Sequence, residues 1–334
     1  MSGPAYAGDV SDDLTNDPGI LTHDPVFEVG GTQAVARNGG LALVHWRGDL
    51  LRAPGVTVVE EAPQPPSFSQ AIVRLSKGRV AGEADIAHAM RALLPGGQLL
   101  LQGQNDVGVV SFAKRLAVTL KQVPQIVANR ARGRVLRFIR GKIEAPMPVS
   151  TMVPLDREGS AQLQIEPGVF SSDGLDEGTQ VLQAYFEQVQ TPKTVVDIGC
   201  GAGHLALAAL RRWPTATGWL LDADRRAIRS AIRNAALLEL TPRVKCQWWD
   251  VSEAVPVSSA DLVLINPPCH AGVVTDYGTA RRMFQVAAKV KTPDGQVLVV
   301  ANRQLPYEAE LATLGKVSVV HQQAGFKILA LTSA

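Results

Sequence analysis

The sequence predicts an α/β protein whose sheets are doubly wound and mostly parallel. Three observations carry that expectation. Short apolar runs alternate with amphipathic stretches after residue 190, a glycine cluster separates one such run from the helix behind it, and a weaker echo of the same order occupies the first half. Runs that are apolar throughout suit strands buried on both faces, as in a parallel sheet covered by helices.

The elements are clearest from the middle outward. Residues 195–198 (VVDI) read as a buried strand, followed by a glycine loop and a helix, HLALAALRRW, that Pro214 closes. GWLLD (218–222) is a strand and RRAIRSAIRNAALLEL an amphipathic helix. VKCQWWD (244–250), DLVLIN (261–266) and QVLVVAN (296–302) are further strands, with a helix near Arg281–Val290 between the last two. The tail KVSVVHQQAGFKILALTS reads as an antiparallel hairpin, completing a seven-stranded, Rossmann-like sheet.

In the first half, QAIVRLS (70–76), a helical stretch and LLPGGQLLLQGQ (93–104) parallel DLVLINPP, a helix and VKTPDGQVLVVAN. The expectation is an internal repeat of strand, helix, Pro-Gly turn and strand. The alternative is two unrelated α/β stretches that share a turn. Residues 1–66 show no G-x-G cluster and no acid-tipped strand before one, so a true N-terminal copy is a degenerate one. Two prolines in EAPMPVS (144–150) suggest the boundary, giving domains 1–148 and 149–334.

At 334 residues and a formal charge of +2, the chain has material for two ordinary domains and no general pull toward polyanions. Three scattered cysteines, a polar acidic start and no long apolar run point to a reduced, cytoplasmic protein without a membrane span. The histidines show no ligand spacing, so no metal is expected. A monomer is the expected state.

Chemistry concentrates at the strand ends. Asp197-Ile198-Gly199-Cys200-Gly201-Ala202-Gly203 sets glycines at alternate positions, so the backbone can turn sharply and approach a ligand without Cβ interference. Asp222 ends the next strand, where a carboxylate accepts from ribose hydroxyls; Asp250 ends the third, in reach of an adenine amino group, with Trp249 or Ala223 to line the adenine slot. Asn266-Pro267-Pro268-Cys269-His270 ends the fourth. All four motifs converge, because open α/β sheets bind ligands at the carboxyl ends of strands. The Asn266 oxygen and a carbonyl fixed outward by Pro267 and Pro268 accept both hydrogens of an exocyclic amine, turning its lone pair toward a methyl donor. His270 adjoins this corner, to contact nucleic acid, to assist proton loss, or as a structural residue. His204 caps or packs the helix after the glycine loop.

The set DIGCGAG, LLDAD, WWD and NPP resembles the class I methyltransferases that act on amino groups. Over about residues 70–334 the chain is similar to the bacterial small-subunit ribosomal RNA guanine-N2 methyltransferases, through PGVFSSDGLDEGT (167–179) and NRQLPYE (302–308) as well. The resemblance implies two methyltransferase-like domains, the N-terminal one degenerate. It also implies S-adenosyl-L-methionine contacts at Gly199, Gly201, Asp222, Asp250 and Asn266, with Asp176 and Thr179 beside them. Ribosomal RNA, free or within an assembled small subunit, is the implied partner. The family carries an aromatic ring after the second proline, where this chain has Cys269; Trp249, Phe170 or Tyr277 is then left to stack on the base.

Nine lysines and arginines and no acid lie between Val107 and Ile143, including Arg130, Arg132, Arg134, Arg137 and Arg140. This segment is expected to dock RNA; a solvated helix face is the other reading. Other acceptors also stay open: large-subunit guanine-N2, adenine-N6, a protein glutamine, or cytosine-C5 through a Cys269 thiolate. So does a catalytically weak RNA-binding assembly factor.

Overall fold

The computed structural model describes residues 15, 20–130, 132–268 and 277–333; Cys269 and His270 lie outside them. The chain divides into two compact units, residues 3–149 and the remainder from Ser150.

In the first unit, strands β1 (Val26–Val29), β2 (Gly40–Leu43), β3 (Val58–Val59), β4 (Phe68–Arg74), β5 (Leu93–Gln104), β6 (Gln125–Arg130) and β7 (Gly133–Ile139) form one sheet in the order β3-β2-β1-β4-β5-β7-β6. Helices α1 (Gln33–Asn38), α2 (Arg47–Arg52), α3 (Arg79–Ala92) and α4 (Val109–Leu120) connect them.

The second unit opens with a two-stranded antiparallel ribbon, β8 (Thr151–Pro154) and β9 (Gln162–Ile165), and helix α5 (Glu177–Ala184). Its sheet holds β10 (Thr194–Ile198), β11 (Thr217–Asp222), β12 (Val244–Trp248), β13 (Ala260–Ile265), β14 (Lys291–Asn302), β15 (Lys316–Gln323) and β16 (Phe326–Thr332). Their order is β12-β11-β10-β13-β14-β16-β15, the same as in the first unit. Helices α6 (His204–Arg212), α7 (Arg225–Leu237), α8 (Tyr277–Val290) and α9 (Tyr307–Ala312) complete it.

Both faces of the second sheet are covered, which explains the uninterrupted apolar runs. Val195, Leu264 and Leu298 pack on one side with Leu207 and Leu210 of α6. Val196, Val263 and Val299 pack on the other with Met283 and Phe284 of α8. The Pro-Gly turn recognised in sequence is a register shift inside both β5 and β14, between Phe68 and Gln70 on one partner strand and between Ala260 and Leu262 on the other.

The repeat therefore holds, and it reaches further than the sequence reading allowed. Residues before 66 supply three of the seven strands, and β1 carries an acid as its third residue, Glu28, fully buried and followed by Gly30 and Gly31. The expectation of no acid-tipped strand there is corrected. A four-residue strand with a carboxylate inside it does not present an apolar run, so the periodicity was too short to register.

Candidate active site

The glycine loop between β10 and α6 is held from the neighbouring strand. Gly199 N and Cys200 N both donate to Leu221 O, at 2.8 and 3.1 Å, and Gly201 N donates to Asp222 Oδ2 at 2.8 Å. Gly199, Gly201 and Gly203 have φ of +79°, +54° and +97°. These are left-handed conformations that glycine adopts without Cβ strain.

One pocket gathers this loop with Phe170, Ser171, Thr179, Asp197, His204 and Asn266. Asp197 is 1% exposed. Its Oδ2 accepts from Ala206 N at 3.1 Å, near the start of α6, while Oδ1 is buried without a hydrogen-bond partner among the described residues. Burial pushes its carboxyl up to about 7. Asp222 is pushed up to about 6, again by burial, although Asp224 N and Gly201 N both donate to it. Ala223 N also contributes a backbone hydrogen bond, and the four lone-pair sites of a carboxylate leave Asp222 capacity for a ligand. Buried polar atoms are nearly always paired, so an orphaned acceptor lining a pocket marks a place for a ligand.

Asn266 follows β13 directly. Its Nδ2 donates to Asp176 Oδ2 at 2.9 Å and Thr179 Oγ1 at 3.1 Å, leaving Oδ1 as its remaining acceptor. Asp176 also caps α5, accepting from Thr179 N at 2.7 Å. Asp176 and Thr179, expected beside the cofactor, thus bond Asn266 directly, a link that no local sequence motif signals.

Cys200 is buried, and burial with the nearby Asp222 and Asp197 carboxylates pushes its thiol well up, so it is an inert group. Ala223 is half-buried and its carbonyl accepts from Trp248 Nε1 at 2.8 Å. Asp250 lies two residues past β12, its Oδ1 engaged by Ser252 N at 2.9 Å. Trp249 is 3% exposed, packs in the apolar layer beneath the sheet and donates Nε1 to Ala254 O, so its ring offers no open face. Tyr277 packs edge-on against Tyr307. Phe170, by contrast, is 64% exposed on the pocket's rim. Pro267 is buried and Pro268 exposed. His204, read in sequence as a helix residue, is the first residue of α6 and also lines the pocket; burial lowers its pKa to about 4, so the ring is neutral near pH 7.

Comparison with known proteins bears directly on this site. The methyltransferase small domain model matches residues 160–330, the part that builds the pocket. The ribosomal RNA small subunit methyltransferase C of Pseudomonas aeruginosa is 31% identical over 281 residues, covering 83% of each chain. That of Pseudomonas entomophila is 30% identical over 290 residues, covering 83% of this chain and 82% of its own. The chain belongs to this methyltransferase family. Its fold also matches the T. thermophilus methyltransferase for N2 of guanine 1207 in 16S rRNA, solved in complex with AdoMet and guanosine, with a TM-score of 0.80 at 23% identity over 93% of this chain and 88% of that one.

The basic segment of this methyltransferase is a hairpin, not a helix face, from Arg130 onward. Arg130 and Arg132 are exposed at the β6–β7 turn, and Arg134 Nε donates to Asn129 Oδ1 at 3.0 Å. Arg137 is turned inward, donating to Gln125 Oε1 at 3.2 Å and Ile20 O at 3.4 Å. Arg140 binds the carbonyls of Arg91, at 3.2 Å, and Leu93. Arg115 pairs with Glu83, an acid from outside the segment, at 3.1 Å. No cluster of three or more potential metal ligands occurs among the described residues, and none of their helices is long and apolar enough to cross a membrane.

The first unit's equivalent corner is closed. Register places Val29 and Val73 where the second unit has Ile198 and Ile265, so Arg74 stands at the position of Asn266 and Glu28 at that of Asp197. Glu28 Oε2 accepts from Ala34 N and Val35 N at 2.7 and 3.0 Å, and its Oε1 accepts from Arg74 Nε. Gly31 makes room for the guanidinium: a Cβ there would lie 2.5 Å from Arg74 Cδ. In the same unit, His45 Nε2 and Asp85 Oδ1 meet at 2.7 Å, both buried.

Proposed function

We propose that the second unit transfers a methyl group from S-adenosyl-L-methionine to the N2 amine of a guanine in 16S ribosomal RNA, at the position its T. thermophilus structural relative modifies, guanine 1207. The observation that carries this reading is the meeting, in one pocket, of an orphaned carboxylate oxygen on Asp197, the glycine loop and Asn266. The cofactor's groups fit these residues and their neighbours: a cationic amino acid end for Asp197 in the pocket, and, at the adjoining strand ends outside its lining, ribose hydroxyls for Asp222 and a purine for Ala223 and Asp250. When bound, the cofactor supplies an electrophilic methyl group.

The chain's own residues supply position. Asn266 Oδ1 and a backbone carbonyl of the Asn266-Pro267-Pro268 corner accept the two amine hydrogens, which directs the lone pair at the methyl carbon. A methylated amine is acidic enough to lose its proton to water, so no general base is assigned. Phe170, the exposed ring on the rim, is the stacking face for the extruded base in a chain whose Pro268 is followed by cysteine. Exposed Arg130 and Arg132, with Arg134, contact RNA phosphates; Arg137 and Arg140 are committed to the fold.

The test is nucleoside analysis of 16S rRNA by mass spectrometry from cells with and without this protein, with the site mapped by primer extension. Loss of one N2-methylguanine is expected, restored by the wild-type chain and not by an Asn266→Ala variant. An unchanged N2-methylguanine content overturns the reading. Replacing Arg130, Arg132 and Arg134 with Glu should weaken RNA binding and reduce its salt slope by roughly one unit per lost phosphate contact. Cofactor affinity should not change.

A further inference from the structure

We infer that Asp176 and Thr179 form a latch that fixes the Asn266 amide with its oxygen toward the acceptor, making Asp176 a positioning residue for amine transfer. The inference rests on the amine-transfer reading above and assigns these two residues a task other than holding the cofactor.

The two ends of a side-chain amide are alike in shape and opposite in chemistry. An oxygen aimed at the acceptor receives a hydrogen from an amine; an NH2 aimed there confronts the amine's own hydrogens. Nothing in the Asn266-Pro267-Pro268 sequence selects between the two. Asp176 does, because a carboxylate only accepts, so its Oδ2 at 2.9 Å bonds the nitrogen end alone. Thr179 Oγ1 accepts from the same nitrogen at 3.1 Å.

The latch is itself held. Asp176 Oδ2 also accepts from Thr179 N at 2.7 Å as the N-cap of α5, so one oxygen starts the helix and orients the amide. Thr179 is 4% exposed. Gly178 leaves the space: a Cβ there would stand 3.2 Å from Asp176 Oδ2 and 3.1 Å from the Phe326 ring. The consequence is selectivity, since the fixed oxygen favours acceptors that bring N–H and disfavours a guanine carbonyl.

Three variants separate this role from a structural one. Asp176→Ser keeps a capping oxygen for α5 but is too short to reach Asn266. Asp176→Asn keeps an oxygen at the cap and is the conservative rescue. Asn266→Ala removes what the latch acts on. Turnover on small subunits should fall roughly tenfold to a hundredfold in Asp176→Ser, with the Kd for S-adenosyl-L-methionine and the KM for RNA changed less than about twofold. Asp176→Asn should recover most of the turnover. In the Asn266→Ala background, Asp176→Ser should add no further loss, as expected of residues acting through one another.

A second readout needs no activity. In protein labelled with 15N-asparagine, the Asn266 side-chain amide, assigned by its absence in Asn266→Ala, should exchange slowly in the wild type and rapidly in Asp176→Ser. Cofactor affinity falling in step with turnover would overturn the latch, as would losses that multiply in the Asn266→Ala background or an amide signal indifferent to Asp176. A slowly exchanging, Asp176-dependent amide in a wild-type protein that does not methylate guanine would uphold the latch and remove guanine as the acceptor.

Discussion

The two units share a sheet order and differ in what fills the carboxyl ends of their strands. In the second, the buried acid after β10's apolar run keeps one oxygen without a partner, and the residue after β13 is an asparagine. In the first, the equivalent acid is saturated by two amides and a guanidinium from the residue that replaces the asparagine. A carboxylate buried at this point of the fold must be offset by a proton, by hydrogen-bond donors or by a cation. In the second unit burial holds Asp197 near 7, and in the first the chain supplies the cation itself. The sheet, held by its apolar layers, is indifferent to the choice.

Exchanging the two solutions breaks the comparison most sharply at Asn266 and Arg74. Asn266→Ala should lower turnover by about two to three orders of magnitude with cofactor affinity largely retained, read as kcat against a calorimetric Kd. Arg74→Met, at the matching position, leaves Glu28 buried and uncompensated and should destabilise the first unit by about 3–5 kcal/mol, measured by denaturant unfolding. Adding Glu28→Gln should recover much of that loss, because a neutral amide still accepts from Ala34 N and Val35 N. A double variant as unstable as Arg74→Met alone would mean that the guanidinium matters for its packing and not for its charge.

Asp222 has no acidic counterpart, since register puts Val44 at its place in the first unit. Asp222→Ala should therefore weaken the one cofactor site by about 1.5–3 kcal/mol per lost hydroxyl contact. Calorimetry should count one S-adenosyl-L-methionine per chain before and after. A second binding event in the wild type would show that the Arg74–Glu28 pair does not close its pocket.

How much of this was legible in the sequence follows from element length and from separation along the chain. β10, β11, β13 and β16 announce themselves as apolar runs because both faces of their sheet are covered there, whereas β15 has no buried residue. β3 has two residues, and α1 and α2 have six each, too few to show a period. The glycine loop and Asn266 were legible as local motifs. The latch was not, because Asp176 meets Asn266 across 90 residues and no local pattern connects them. Phe170 was one of three candidate rings; only burial separates it from Trp249.

The smallest expected effect is the most specific to the open site. Burial holds Asp197 near 7 and Asp222 near 6, both above the ordinary carboxylate value of 3.8, in the ligand-free protein. Between 3.8 and 7 the folded, empty unit thus keeps protons that the unfolded chain has released, so its stability declines as pH rises through that window. A cationic ligand needs the Asp197 carboxylate, so binding expels that proton, and affinity for S-adenosyl-L-methionine should run the opposite way. It should strengthen by roughly twentyfold from pH 5.5 to pH 7.5, then level off. Calorimetry at pH 6 in buffers of different ionisation enthalpy should report close to one proton released per cofactor, and Asp197→Asn should remove most of that release. The first unit, whose Glu28 already has its cation, should contribute none of it. Affinity independent of pH across this range would mean that Asp197 is ionised before the cofactor binds, and that the two acids are satisfied alike after all.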